Sequence, residues 1–232
     1  MTKKKSKTKH TALSTTLPDI LTRGIQAHNA GELNEAIKDY EQILKINPKH
    51  IDALHLYGLA CYQQGEFKKA LELVKRSITI NDAIANIYNT YASILLALNN
   101  QDEAIVALKR AVHLDPYHYL AWNNLGNTQR DKGEYAAAKI AYDAALKLNP
   151  YDPETLTLSC FIRQHLCDWE ELDSLRHRFM TLVPQPEHQR IAPFTVLSLV
   201  ADPIIQKKWA SHFAAETASG LSRQKTTNDH HQ

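Results

Sequence analysis

The feature that most constrains this chain is a 34-residue period. Pro48, Pro116, Pro150 and Pro184 lie 68, 34 and 34 residues apart, with Asp82 in the vacant place. Gly31, Gly65 and Gly133 keep the same register, with Asn99 and Cys167 in the two remaining slots. A second small-residue series runs Gly24, Gly58, Ala92, Gly126 and Cys160. Alanine recurs as Ala36, Ala70, Ala104 and Ala138, with Leu172 last. Bulky residues recur as Ile20, Leu54, Tyr88, Trp122 and Leu156. Five series in one register specify a tandem array, in which a unit too small to bury its own apolar face buries it against the next copy.

Each unit reads as two helices. Residues 51–64 place Leu54, Tyr57 and Cys61 at helical spacing, and Gly65 breaks the run. Residues 66–80 form a second amphipathic stretch with Phe67, Ala70, Leu71, Val74 and Ile78 on one side. The small residue in the first helix has a packing reason, since it lets the second helix approach closely. Early alanine in the second helix is the other half of that contact. Proline ends the unit because it lacks an amide donor and clashes with the preceding turn. Units start near Leu17, and four of them reach Asp152. A degraded fifth unit, 153–184, holds Cys160, Cys167, Leu172 and Arg176 in the signature slots, as a terminal unit with no outer neighbour is free to do.

Composition supports helices and limits the chemistry. Only 7 of 232 residues are glycine, where average usage of about 7% would give about 16. Six of the seven sit in the repeat register and Gly220 alone is left over, so no glycine remains for a nucleotide-cradling loop. No run approaches 18 consecutive apolar residues, the minimum for a membrane-spanning helix. Three widely spaced cysteines, Cys61, Cys160 and Cys167, with no Cys-x-x-Cys pair, suit neither a disulfide framework nor a zinc site. With no apolar leader to export the chain, they point to a reducing, cytoplasmic setting. Formal net charge is +2, but Lys3, Lys4, Lys5, Lys7 and Lys9 supply five of the 27 basic residues, leaving 22 against 25 acidic ones. The folded body is therefore not expected to bind polyanions. Residues 1–16 read as a disordered basic tail, either solubilising or able to touch nucleic acid or acidic lipid.

The period and its signature resemble the tetratricopeptide repeat. The likeness is carried by Trp122-Asn-Asn-Leu125-Gly126, then Gly133, Ala138, Tyr142, Ala145 and Pro150, and covers residues 17–152. It implies an all-α fold: a right-handed superhelical solenoid of antiparallel helix pairs, with first helices lining a concave groove and C-terminal helices capping the end. A second likeness, over roughly 153–213, rests on Cys167-Asp168-Trp169, Ile191-Ala192-Pro193-Phe194 and Asp202-Pro203-Ile204-Ile205-Gln206. This order is similar to the segment joining repeats to the catalytic half in bacterial proteins of the O-linked N-acetylglucosamine transferase (SPINDLY-like) group. In that group a two-lobed, UDP-sugar-binding region follows. Here 19 residues follow Phe213, most of them polar, so the group's catalytic histidine and sugar-nucleotide lysine map to no position. The expectation is a non-catalytic front half, with 185–215 as linker and capping helices, including the amphipathic 203–215 stretch, and 216–232 as a tail. A split or truncated transferase with its lobes on another chain is the alternative.

No catalytic, cofactor or metal site is expected. His50 and His55, like His113 and His118, are five residues apart, not the three or four that place two ligands on one helix face. Cys61 and Cys160 fall in packing slots and read as structural thiols. Recognition of a protein or peptide in the groove is the expected chemistry. The positions between the packing residues are Asp52, His55, Leu56, Leu59, Tyr62 and Gln63 in the second unit, and Asn86, Asn89, Thr90, Ser93 and Leu96 in the third. In the fourth they are Asn123, Asn124, Asn127, Arg130 and Asp131. An asparagine amide donates and accepts, so it can pair with an extended backbone whatever the side chains. The transferase resemblance implies an asparagine ladder, which Asn124 and Asn127 occupy in the fourth unit; read without it, they are polar groove residues. A carboxylate clamp needs basic first helices, and the groove set contains Arg130 alone.

Overall fold

A computed structural model describes residues 16–182 and, further on, the helical positions Pro203, Ile204, Lys207, Ala210, Ser211 and Ala214. The tail segments, the joining motif at 191–194 and most of the expected capping region lie outside the described residues. Among the described residues there are ten helices and no strand. Two compact units divide the chain, one through Asn100 and one from Gln101. The first holds α1 (Leu17–Asn29), α2 (Leu33–Ile46), α3 (Ile51–Gln63), α4 (Phe67–Ile80) and α5 (Ala85–Ala97). The second holds α6 (Gln101–Leu114), α7 (Tyr119–Asp131), α8 (Tyr135–Leu148), α9 (Pro153–His165) and α10 (Leu172–Leu182). Within each unit every helix packs on the next one in sequence.

The period reappears as repeated local chemistry. Helix starts at Thr16, His50, His118 and Asp152 keep the 34-residue register, and each side chain accepts a backbone N–H from the first turn of its helix. His50 and His118 do so through Nδ1, at 3.3 and 3.2 Å from the amides of Ala53 and Ala121. Ile84, in the same slot, gives no side-chain cap. Thr16 thus belongs to α1 and not to the basic tail: its hydroxyl and the Asp19 carboxylate form a capping box, which also holds the Asp19 carboxyl below its usual pKa.

Helix ends repeat as well. Gly31, Gly65 and Gly133 have φ of +80°, +81° and +77°, and Asn99 and Cys167 adopt the same left-handed conformation at +60° and +53°. Just beyond each turn the next amide reaches back to the carbonyl of Ala27, Cys61, Leu95, Gln129 or Arg163, closing the Schellman geometry at 2.8–2.9 Å. Cys167 occupies a conformation usually left to glycine because the register requires it there. Trp169 lies 61% exposed in the turn before α10.

Close approach explains the small-residue series. A Cβ added at Gly24 would lie 2.8 Å from the Tyr40 ring, at Gly58 2.6 Å from Val74 Cγ2, and at Gly126 2.6 Å from the Tyr142 ring. These partners are themselves fully buried. Each large apolar side chain so buried contributes about 1.5–3 kcal/mol relative to exposure.

Candidate partner-binding faces

The amphipathic pattern turns one side of each first helix toward its own second helix, leaving the other side for neighbours and solvent. In the first unit α1, α3 and α5 lie side by side, and two polar ties join them. His28 Nε2 donates to Gln63 Oε1 at 2.9 Å, which leaves Nδ1 to accept from the Tyr40 hydroxyl at 3.3 Å. His55 Nε2 and Thr90 Oγ1 meet at 2.9 Å. Burial pushes the His55 imidazole pKa down, against the pull of the Asp52 carboxylate. Asp52 and Asn86 are exposed, Asn89 is half-buried, and Tyr62 tilts against the Phe67 ring at 5.9 Å.

In the second unit the α7 face is a connected amide network. Asn123 Nδ2 donates to Thr155 Oγ1 on α9 at 2.8 Å and to the Tyr119 hydroxyl at 3.1 Å. Asn123 Oδ1 accepts from Asn127 Nδ2 at 3.2 Å. Asn127 Oδ1 in turn accepts from the Tyr142 hydroxyl at 2.8 Å, with Arg130 at 3.5 Å. Asn123 is therefore a correction to the expected groove set. It is only 8% exposed and joins α7 to α9 instead of facing a ligand. Asn124, Asn127 and Arg130 are half-exposed on one side of α7, and Arg130 pairs with Asp131 at 2.8 Å.

The two buried thiols sit in packing slots. Burial pushes Cys61 and Cys160 up to about 11, the direction opposite to an activated thiolate. Sequence reasoning passed over two buried polar side chains, Gln129 and Arg163, which share one register slot with Ala27, Cys61 and Leu95. Arg163, 1% exposed, bonds Ser159, Asp143 and Glu171 at 2.7–2.8 Å and fixes α10's leading turn to α8 and α9. The 34-residue register, applied to that slot, is the signal that finds both.

Comparison with known proteins follows this geometry. A tetratricopeptide repeat family model matches residues 91–153, and the model for anaphase-promoting complex, cyclosome, subunit 3 matches residues 29–111. The structure superposes on Pseudomonas aeruginosa pilF with a TM-score of 0.74 at 17% identity, over 92% of this chain and 97% of that one. It superposes on MamA with a TM-score of 0.63 at 20% identity, over 76% of this chain and 96% of that one. The chain is a tetratricopeptide-type repeat protein. This repeat protein is also similar to the protein O-mannosyl-transferase TMTC1 of Mus musculus, 29% identical over 124 residues, or 52% of this chain and 13% of that protein. The Hsp70-Hsp90 organizing protein of Triticum aestivum is 27% identical over 139 residues, or 60% of this chain and 23% of that one. The repeat protein thus spans less than a quarter of either relative's length. Among the described residues, no helix is long and apolar enough to cross a membrane.

Proposed function

We propose that this repeat protein is a non-catalytic interaction scaffold that holds an extended segment of a protein partner on its first-helix faces. The single observation that carries this reading is the α7 network, in which Asn127 is fixed by Asn123 and Tyr142 before any ligand arrives. Pre-organised amides bind an extended backbone with less ordering entropy than mobile ones. Asn124, Asn127 and Arg130 form the core of the surface in the second unit. Asp52, His55, Tyr62, Asn86 and Asn89 supply a separate polar face in the first. The role is that of the substrate-recruiting half of an O-linked N-acetylglucosamine-transferase-like protein, acting in the cytoplasm.

The test is capture of partners by the full chain beside an Asn124→Ala/Asn127→Ala variant. Each lost hydrogen bond is worth about 0.5–1.5 kcal/mol, so the pair should weaken binding by about tenfold or more. Equal capture by both forms overturns the assignment of the face. A second reading is favoured by the likeness to a protein named as a mannosyl-transferase. In it, the chain presents substrates to catalytic lobes carried on another polypeptide. Sugar transfer that requires this chain together with a separate sugar-nucleotide-binding protein supports that reading; transfer by this chain alone refutes the non-catalytic one.

A further inference from the structure

The outward side of the second helices departs from its own register in the fourth unit. One slot reads Asn34, Lys68, Asp102, Ala136 and Glu170 along the chain. The next reads Glu35, Lys69, Glu103, Ala137 and Glu171, and a third reads Lys38, Glu72, Val106, Ile140 and Ser174. Two slots that elsewhere hold charges or polar groups thus become alanine on α8, and the third, already valine at Val106 on α6, becomes isoleucine. Ile140 is 67% exposed, and so is Val106 on α6. Burying such side chains in a partner removes apolar surface from water, and nothing in the helix's own packing calls for them.

The same side of α8 forms one wall of an open cleft of about 550 Å³ between α6, α7 and α8. That volume lies within the range of sites that take small ligands or several side chains. Val112, Trp122, Leu125, Ala137 and Ile140 give it an apolar lining. The Trp122 indole is held as a fixed wall by donating to the Pro116 carbonyl at 2.9 Å. Gln129 also lines the cleft. It is 4% exposed, and its Oε1 has no hydrogen-bond partner. A buried carbonyl without a donor carries an uncompensated desolvation cost, which a ligand N–H or O–H relieves once the amide turns to meet it. Exposed Lys109 and His113 stand at the rim, and no carboxylate is among the lining residues.

We propose that this cleft docks a protein segment that inserts neighbouring aliphatic or aromatic side chains flanked by carboxylates. The apolar walls take the anchors, Lys109 and His113 face the acids, and the Gln129 amide accepts from a buried donor. The site is independent of the amide face. At about 100° per residue, Asn124 and Asn127 project from the side of α7 opposite Trp122, Leu125 and Gln129.

The test uses the full chain, observing the Trp122 indole N–H and the Ile140 δ-methyl by NMR. The probe is an acetylated aspartate-aspartate-leucine-leucine-aspartate peptide, compared with versions carrying lysine for aspartate and serine for leucine. Saturable shifts of both signals by the acidic leucine peptide are expected. The lysine and serine versions should bind at least tenfold more weakly. Ala137→Glu restores the charge that the register carries in three other units, and it should abolish the shifts while leaving the helical spectrum intact. Asn124→Ala/Asn127→Ala should leave them unchanged. No saturable shift, equal shifts from all three peptides, or shifts that survive Ala137→Glu would overturn the proposal. Signals that move on dilution without peptide would overturn it too, since the cleft would then belong to a second copy.

Discussion

Glycine at 126 is there because a tyrosine ring is there, and that dependence can be measured. A methyl group at 126 would sit 2.6 and 2.7 Å from Tyr142 Cε1 and Cδ1, where ordinary contact begins at 3.4 Å. The ring must therefore retreat by about 0.8 Å, yet Tyr142 is fully buried and its hydroxyl is tied to Asn127. Overpacking of this kind costs up to about 3 kcal/mol, while replacing a mid-helix glycine by alanine returns about 1 kcal/mol. Gly126→Ala should thus destabilise by a net of about 2 kcal/mol. The repeat supplies its own control, because the third unit carries Ala92 and Leu108 in the slots that hold Gly126 and Tyr142. In a Tyr142→Leu background the clash is gone, so Gly126→Ala should become neutral or stabilising. Chemical denaturation followed by circular dichroism across the four proteins reads the coupling, expected at about 2–3 kcal/mol. An equal cost of Gly126→Ala in both backgrounds would refute the close-approach explanation.

Other expectations follow from single sites. Cys167→Gly relieves a left-handed residue that is neither glycine nor asparagine, and should stabilise by about 0.5–1 kcal/mol; Asn99→Gly should gain less, and thermal melts compare the two. Arg163→Met keeps the buried volume and leaves Asp143 and Glu171 partly solvated, so it should be nearly neutral, whereas Arg163→Ala opens a cavity and should cost about 2–3 kcal/mol in denaturant melts. His55 has its pKa lowered by burial, so its contribution is fully present above its unfolded value of 6.5 and is lost as pH falls through the lower folded value. Acidification from pH 7.5 to 5 should therefore destabilise the wild type more than His55→Gln; equal losses contradict the burial argument. Exposed Cys167 should react with a thiol reagent in the native state, while Cys61 and Cys160 react only after unfolding, as mass spectrometry will register.

The helices were legible because periodicity reports which residues face inward. The expected 51–64 and 66–80 became Ile51–Gln63 and Phe67–Ile80, and the turn slots kept one conformation even where Asn99 and Cys167 replaced glycine. The candidate site was less legible. A first helix packs against its own second helix and against the following first helix, and a helical period resolves only the former. Asn123 was placed in the groove for that reason, although it lies within reach of Thr155, 32 residues away. Two histidines illustrate the same limit. His28 and His55 tie neighbouring first helices through partners 35 residues away. His50 and His118, by contrast, cap their own helices three residues on, within reach of a local pattern.

The central claim is that the half-exposed amides of α7 engage an extended partner backbone. Selection of random twelve-residue peptides on the full chain, followed by calorimetric titration of those recovered, tests it most directly. The account requires peptides that bind in an extended form, lose about tenfold or more in affinity to the Asn124→Ala/Asn127→Ala variant, and are indifferent to Ala137→Glu. Peptides that bind both α7 forms equally well would contradict it.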